Sequence, residues 1–340
     1  MAAVVTFGEI MLRLAPEGMD RFVQADSFGA VYGGGEANVA VSLAGYGMDA
    51  RYVTKVPAHE IGQAAVNAMR RYGVDTGYMV RGGDRLGIYF LERGASQRPA
   101  KVIYDRKGSA MALAQPSDFN WEMIFDGANW FHFSGITPAI GKNLAQITEN
   151  AAAMAHQKGM MVSCDLNYRS KMWTLEEAKV VMAGLMGNVD VLITNEMHAQ
   201  QLLEADVSGY PTEDTNLGQE GCAALGRSLS ERYGFRTVAI TQRRSLSADD
   251  NRFKAAIYSK GEIAFSTQYT MHMVDRVGSG DAFTAGVIYG MKEGLSLQQT
   301  VDFAAAACCL KHTINGDVNL MSTAEVWELA SGSGSGSVQR

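Results

Sequence analysis

Short apolar runs separated by amphipathic, glycine-ended helical stretches recur along most of the chain, and this alternation restricts the fold more than any other feature. "AVVTFGEIMLRL" (2–14) is β-like and valine-rich, alternating in its second half. After short extended pieces in "RFVQADSFGAVYGG", a helix is predicted at "EANVAVSLAGYG", stopped by Gly45 and Gly47. "ARYVTKV" is the next strand and "EIGQAAVNAMRRYG" another helix ending on glycine. The pattern resumes with strands in "NWFHFSG", "GMMVSCDLN", "VDVLITN" and "RTVAIT", and helices at 141–158, 174–186, 197–204 and 217–233. A β-hairpin region around 253–269 and helices at 281–293 and 297–311 close it. This order predicts an α/β fold, a mostly parallel sheet with helices on both faces.

One stretch breaks the rhythm. "LGIYFLERGASQRPAKVIYD" (86–105) reads as two strands around a Gly/Ser/Pro turn with no helix between them. With residues 13–33 it predicts a small antiparallel sheet inserted into the α/β body. An insert so placed can act as a lid, because ligands of open α/β sheets bind at the carboxyl ends of the strands. The organisation expected is one α/β domain over 1–330, with lid segments at about 13–33 and 86–110. The tail 331–340, beginning "SGSGSGS", reads as a flexible linker.

Composition narrows the function. The chain has 340 residues and a net charge of −6, with no basic run, which argues against a nucleic-acid partner. No apolar run approaches the ~18 residues that span a bilayer. The N-terminal segment has no charged n-region and alternates like a strand, so no membrane association and a cytoplasmic location are expected. Cys164, Cys222, Cys308 and Cys309 show no C-x-x-C spacing and read as small buried hydrophobes.

Two nucleotide-binding patterns fail. "GITPAIGKN" (135–143) is one residue too long for a Walker A loop and lacks Ser or Thr after Lys142. The glycines at 278 and 280 lack the third glycine of a Rossmann fingerprint, since Phe283 stands there. No H-e-x-x-H or paired His/Cys spacing suggests zinc. "DRVGSGDAF" (275–283) nonetheless opens an apolar helix, where the N–H groups of Gly278, Ser279 and Gly280 can converge on an anion. Asp281 is either a helix cap or a base taking a proton from an attacking hydroxyl. A second cluster, Gly33 to Gly35, opens a helix whose first polar inward candidate is Asn38. Two glycine-rich helix mouths, one with a carboxylate and one with an amide, suggest a polyol and a phosphate bound side by side.

Taken together, "GGGEANVAVSLAGYG" resembles the sugar-binding signature of ribokinase-like (phosphofructokinase-B type) carbohydrate kinases. "DRVGSGDAFTAG" resembles their D-x-x-G-x-G-D-x-F catalytic signature. The two come in the family's order, about 240 residues apart, and the resemblance extends over roughly residues 3–328. It implies a ribokinase-like fold with a β-lid, phosphorylation of a sugar hydroxyl, ATP and Mg²⁺ as cosubstrates, and in some members a monovalent cation. It also implies Asp281 as base, Gly278 to Gly280 as anion hole, Gly35 and Asn38 at the sugar, and Asn167, Asn195 and Thr241 at the nucleotide. Lid-to-lid homodimers are common in the family, and unpaired lid edges are suited to such pairing.

The sugar is read from other residues. Many members carry an aspartate on the first strand to grip a neutral sugar, whereas this chain has Glu9 and Met11 there. Basic and phenolic residues gather elsewhere, and an arginine fork suits a carboxylate. "IYDRKGSA", "DLNYR" and "INGDV" resemble the 2-keto-3-deoxygluconate kinase branch. That resemblance implies acid-sugar contacts at Gly34, Tyr89, Tyr104, Arg106, Arg169 and Asp317, with transfer to the 6-hydroxyl. A neutral-sugar kinase of the fructokinase or ribokinase kind is the rival, and a non-catalytic sugar-binding protein of the same fold is the alternative from another class. Two departures motivate that last one. The family's N-x-x-E reads "NEMH", with His198 for the glutamate and Glu196 two residues earlier, ~200° around the helix. Its T-x-G-x-x-G reads "TQRRSL", with Arg243 and Leu246 at the glycine positions, where Arg243 or Arg244 could supply charge instead.

Overall fold

The computed structural model describes residues 2–213 and 216–332. Its large sheet takes strands in the order Glu262–Phe265, Asp250–Ser259, Thr237–Ser245, Val191–Thr194, Met161–Asp165, Ala128–Ser134, Ala3–Phe7, Ala50–Val56 and Met79–Arg81. Tyr269–His272 pairs beside Asp250–Ser259. Pairing is parallel from Thr237–Ser245 across to Met79–Arg81 and antiparallel at the other edge. Alternating strand residues serve opposite faces: Val4 and Ile193 join one apolar core, Val5 and Leu192 the other. Helices Gly35–Gly45, Ser279–Lys292 and Leu297–Lys311 cover the first face. Helices Lys142–Gln157, Leu175–Met186 and Gln219–Tyr233 cover the second.

The strand expected over 2–14 is two strands. Ala3–Phe7 ends in the large sheet, residues 8–10 turn, and Met11–Pro16 begins a second sheet of order Phe28–Gly33, Met11–Pro16, Gly87–Glu92, Lys101–Asp105. The alternation runs almost unbroken through the turn, so periodicity alone could not show the change of sheet. This small sheet is antiparallel in its outer pairings and parallel at its centre, between Met11–Pro16 and Gly87–Glu92. Its segments thus begin two residues before the expected 13 and end at Asp105.

The helices expected between 141 and 311 fall within two residues of their places, while the edge strand Met79–Arg81, the short helices Trp121–Ile124 and Ile136–Ala139, and the longer helix Thr323–Ala330 were not foreseen. The Ser322/Glu325 capping box of that last helix is visible in "STAE". All four cysteines are free, three of them buried. Among the described residues no helix is long and apolar enough to cross a membrane. The tail expected to be a linker lies, from residue 333 onward, outside the described residues.

Candidate active site

The carboxyl ends of the parallel strands open into one cleft of about 1030 Å³, roofed by the small sheet. Ser134, Asp165 and Thr194 are the last residues of their strands, and Glu9 follows the end of Ala3–Phe7. Ala3–Phe7 is also where strand order reverses, being flanked by Ala50–Val56 and Ala128–Ser134, and α/β sheets place ligands at such points. Every site residue expected from the sequence lines this cleft.

At its centre, helix Ser279–Lys292 starts from Gly278, whose φ of 82° is left-handed. A Cβ there would lie 1.8 Å from the Asp317 carbonyl oxygen, so the position needs glycine for both conformation and space. The N–H groups of Ser279, Gly280 and Asp281 donate to no acceptor among the described residues, and the first intrahelical bond runs from Ala282 to Gly278. Free first-turn donors at the positive end of a helix are suited to receive an anion. Asp281 does not cap this helix. Its carboxylate turns into the cleft and accepts a hydrogen bond from Asn38 Nδ2 at 2.7 Å, joining the two glycine-rich helix mouths.

Burial pushes the Asp281 carboxyl up to about 7; nearby Asp165 and Glu36 push the same way, while the Asn38 bond and Arg169 oppose them. Asp165, also raised by burial to about 7, binds the Asn167 N–H. Asn167 itself sits in the left-handed region at φ 35°. Glu36 escaped the sequence reading although it lies inside "GGGEAN". Its buried carboxylate accepts from Ser134 N, Ser134 Oγ and Thr137 Oγ1 at 2.7–2.9 Å, locking the first helix onto the strand end beside it. Gly34 packs so tightly that a Cβ would lie 2.1 Å from the Glu9 carbonyl oxygen. A Cβ on Gly35 would meet Asp281 Oδ1 at 3.8 Å and Ser134 Oγ at 3.9 Å, ordinary contact distances.

The sugar side is more committed than the sequence suggests. Arg106 directs Nε at 2.8 Å, and Nη2 as well, onto Glu9 Oε2, leaving Nη1 against the Met172 sulfur. Glu9 is 4% exposed and also accepts from Ser109 Oγ. The glutamate that replaces the family's aspartate therefore holds an arginine in place. Tyr104 lies beside Arg106 and 6.1 Å from the Tyr89 ring. Tyr89 donates its hydroxyl to Asp317, which also receives Arg13 Nη1 at 2.7 Å. Arg13 Nη2 bonds Asp275 at 2.6 Å, giving a buried Arg13–Asp275–Asp317 group. Burial and Asp317 hold the Tyr89 phenol well above its usual range. Arg169 is the freer cation, its one side-chain hydrogen bond among the described residues going to the Tyr168 carbonyl at 3.3 Å.

On the nucleotide side, Asn195 caps helix Glu196–Leu203, accepting from His198 N at 2.8 Å, and its Nδ2 faces His198 Nδ1 at 3.2 Å. Burial, assisted by Arg169, lowers His198 to about 4, so this neutral ring does not replace a glutamate's charge. Glu196 turns away to the Leu217 N–H at 2.7 Å. Thr241 donates to the Thr194 carbonyl at 3.2 Å. Among the described residues no group of three His, Cys, Asp or Glu side chains could hold a metal ion.

Unpaired first-turn N–H groups, a buried carboxylate beside them and a roofed cleft suit phosphoryl transfer to a hydroxyl-bearing small molecule. The sequence pattern of the pfkB family carbohydrate kinases matches residues 1–323, and the chain belongs to that family. It is similar to the 2-dehydro-3-deoxygalactonokinase of Haloferax volcanii, 32% identical over 337 residues, 98% of either chain. It is also similar to the 2-dehydro-3-deoxygluconokinase of Bacillus subtilis, 26% identical over 94% of this chain and 93% of that one. The crystal structure of 2-dehydro-3-deoxygluconokinase from Thermotoga maritima superposes with a TM-score of 0.93 at 50% identity, covering 97% of this chain and 100% of that one. The chain is thus a carbohydrate kinase close to those of 2-keto-3-deoxy sugars, with the ribokinase-like fold expected from its sequence.

Proposed function

We propose that the enzyme transfers the γ-phosphoryl group of ATP to the 6-hydroxyl of 2-keto-3-deoxygluconate in the cytoplasm, with Asp281 as general base. The supporting observation is the pairing of Asp281 with Asn38 in the same helix turn whose Ser279, Gly280 and Asp281 N–H groups have no acceptor among the described residues. The sugar hydroxyl gives its proton to Asp281, its oxygen bonds to the γ-phosphorus, and the bond to the bridging oxygen breaks to leave ADP. Charge developing on the phosphoryl oxygens meets donors already oriented towards it, so little reorganisation accompanies transfer. Magnesium neutralises triphosphate charge when bound; this donor set fits an ion carried in by phosphate oxygens rather than one caged by side chains.

Arg169 and Arg106, whose Nη1 meets only the Met172 sulfur at 3.3 Å among the described residues, bind the carboxylate of the acid sugar, and Tyr104 closes the pocket beside them. Arg106→Ala is expected to raise KM for 2-keto-3-deoxygluconate about 10–100-fold, the scale of a charge-assisted hydrogen bond, and to leave KM for fructose within twofold. Equal effects on both sugars would favour the neutral-sugar reading. A second acid sugar has its own support, because the Haloferax relative is named for the galactonate, the C4 epimer. An ADP-release assay over both epimers, fructose and ribose tests all of these assignments. Turnover confined to a neutral sugar would overturn the acid-sugar reading.

A base near neutrality also sets the pH dependence. Asp281 must be ionised to accept the proton, so kcat/KM should fall below pH ~7 with a slope of one per pH unit. A profile flat down to pH 5 would count against Asp281. Two copies are expected to pair through the outer edge of Lys101–Asp105 in the small sheet, and sedimentation as a monomer would refute that.

A further inference from the structure

The family's T-x-G-x-x-G is altered at Arg243 and Leu246, and the strand that carries Arg243 turns it into the cleft. In Thr237–Ser245 the strand period puts Thr241, Arg243 and Ser245 on one face, and all three line the cleft. Gln242 faces the other way and donates to the Leu217 carbonyl at 2.7 Å. Arg243 Nη2 donates to Ser279 Oγ at 2.9 Å, which places its guanidinium one hydrogen bond from the anion hole. Its Nε is buried with no acceptor among the described residues. Arg276, in the loop before the same hole, and Arg169 also line the cleft, and none of the three forms an ion pair with a carboxylate among the described residues. Surrounding protein, then the charges of Arg243 and Arg169, pull the Arg276 guanidinium down to about 10. Arg169 faces the carboxylates of Asp165 and Asp281, which leaves Arg243 and Arg276 as the two guanidiniums beside the helix mouth with no carboxylate paired to them among the described residues.

We propose that Arg243 is a phosphate-binding residue of the transfer reaction, replacing by a charged fork what the family's glycine loop supplies through its backbone, with Arg276 completing the clamp. This rests on the reading that the cleft transfers phosphoryl from a nucleoside triphosphate. A planar fork spans two phosphate oxygens, which a lysine cannot do. Because Arg243 already touches Ser279, its charge falls on the phosphoryl group being transferred rather than on the adenine or the sugar.

Arg243→Gly restores the family's glycine and is the decisive variant, compared with Arg243→Lys. In the full-length enzyme Arg243→Gly should lower kcat/KM for ATP by about 10²–10³-fold, the scale of one lost transition-state donor, and leave sugar KM within twofold. Arg243→Lys should recover less than half of that loss on a logarithmic scale. Calorimetry gives a readout independent of turnover: affinity for a non-hydrolysable ATP analogue should fall at least tenfold, with AMP affinity unchanged. Unchanged analogue binding, or equal losses for analogue and AMP, would overturn the role of Arg243. If the parent enzyme phosphorylates only a neutral sugar, the substrate assignment fails while these nucleotide measurements still decide Arg243.

Discussion

Asp281→Asn should bind ATP and the acid sugar as tightly as the parent chain and turn over about 10²–10⁴-fold more slowly, the range of a lost general base. In free energy that is about 3–5 kcal/mol of transition-state stabilisation. The amide preserves shape and can still meet Asn38 across 2.7 Å, so the ground state is hardly disturbed. Single-turnover kinetics beside equilibrium binding separate the two effects, and near-normal turnover would remove Asp281 from the chemistry. The same substitution has a stability signature. The folded carboxyl titrates near 7 against an ordinary aspartate value near 4, so between those limits the folded state binds more protons than the unfolded chain. Stability contributed by this group is therefore lost as pH rises through that window. Asp281→Asn should raise Tm at pH 8 and change it little at pH 4, a site that is costly to fold around and gainful to keep.

Arg13→Met should be the most destabilising single substitution on the small sheet, by about 3–5 kcal/mol, because it strands two buried carboxylates. Asp275 would keep the Gly316 N–H at 3.0 Å, with Arg93 only at 3.9 Å, and Asp317 would keep the Tyr89 hydroxyl. Urea unfolding reads the loss. Converting Asp275 and Asp317 to asparagine in the Arg13→Met background should restore most of it, since the penalty comes from unpaired charge rather than lost packing. A shift below ~1 kcal/mol in Arg13→Met would mean that water reaches the group.

Much of this was legible in the sequence because the signals were local. Gly278 to Asp281, and Gly34 to Asn38, lie within single helix mouths, and each helix presents its residues to the cleft with no help from elsewhere. The strand–helix period located nearly every core element for the same reason. What stayed hidden depends on residues far apart in the chain. Glu36 acquires meaning only from Ser134 and Thr137, and Glu9 from Arg106 and Ser109. Arg13 in "LRL" carries no local signal of burial, yet it is 1% exposed because two aspartates some 260 and 300 positions away close over it. The turn at 8–10 was invisible because alternation continues through it. The sequence offered Arg243 or Arg244 as a charge in place of the lost glycines, and the strand register shows that Arg243 takes the cleft face.

The Arg13–Asp275–Asp317 group bears on how specificity can be altered. It fastens the roof to the loop before the anion hole and to the loop after helix Leu297–Lys311, so half of each contact belongs to a different part of the gene. Transplanting the small sheet alone from a relative would pair a foreign residue at 13 with native aspartates, or leave a foreign arginine without them. Recombination that exchanges substrate preference should therefore succeed only when residues 11–33 and 87–105 travel with 275 and 317 as one inherited block.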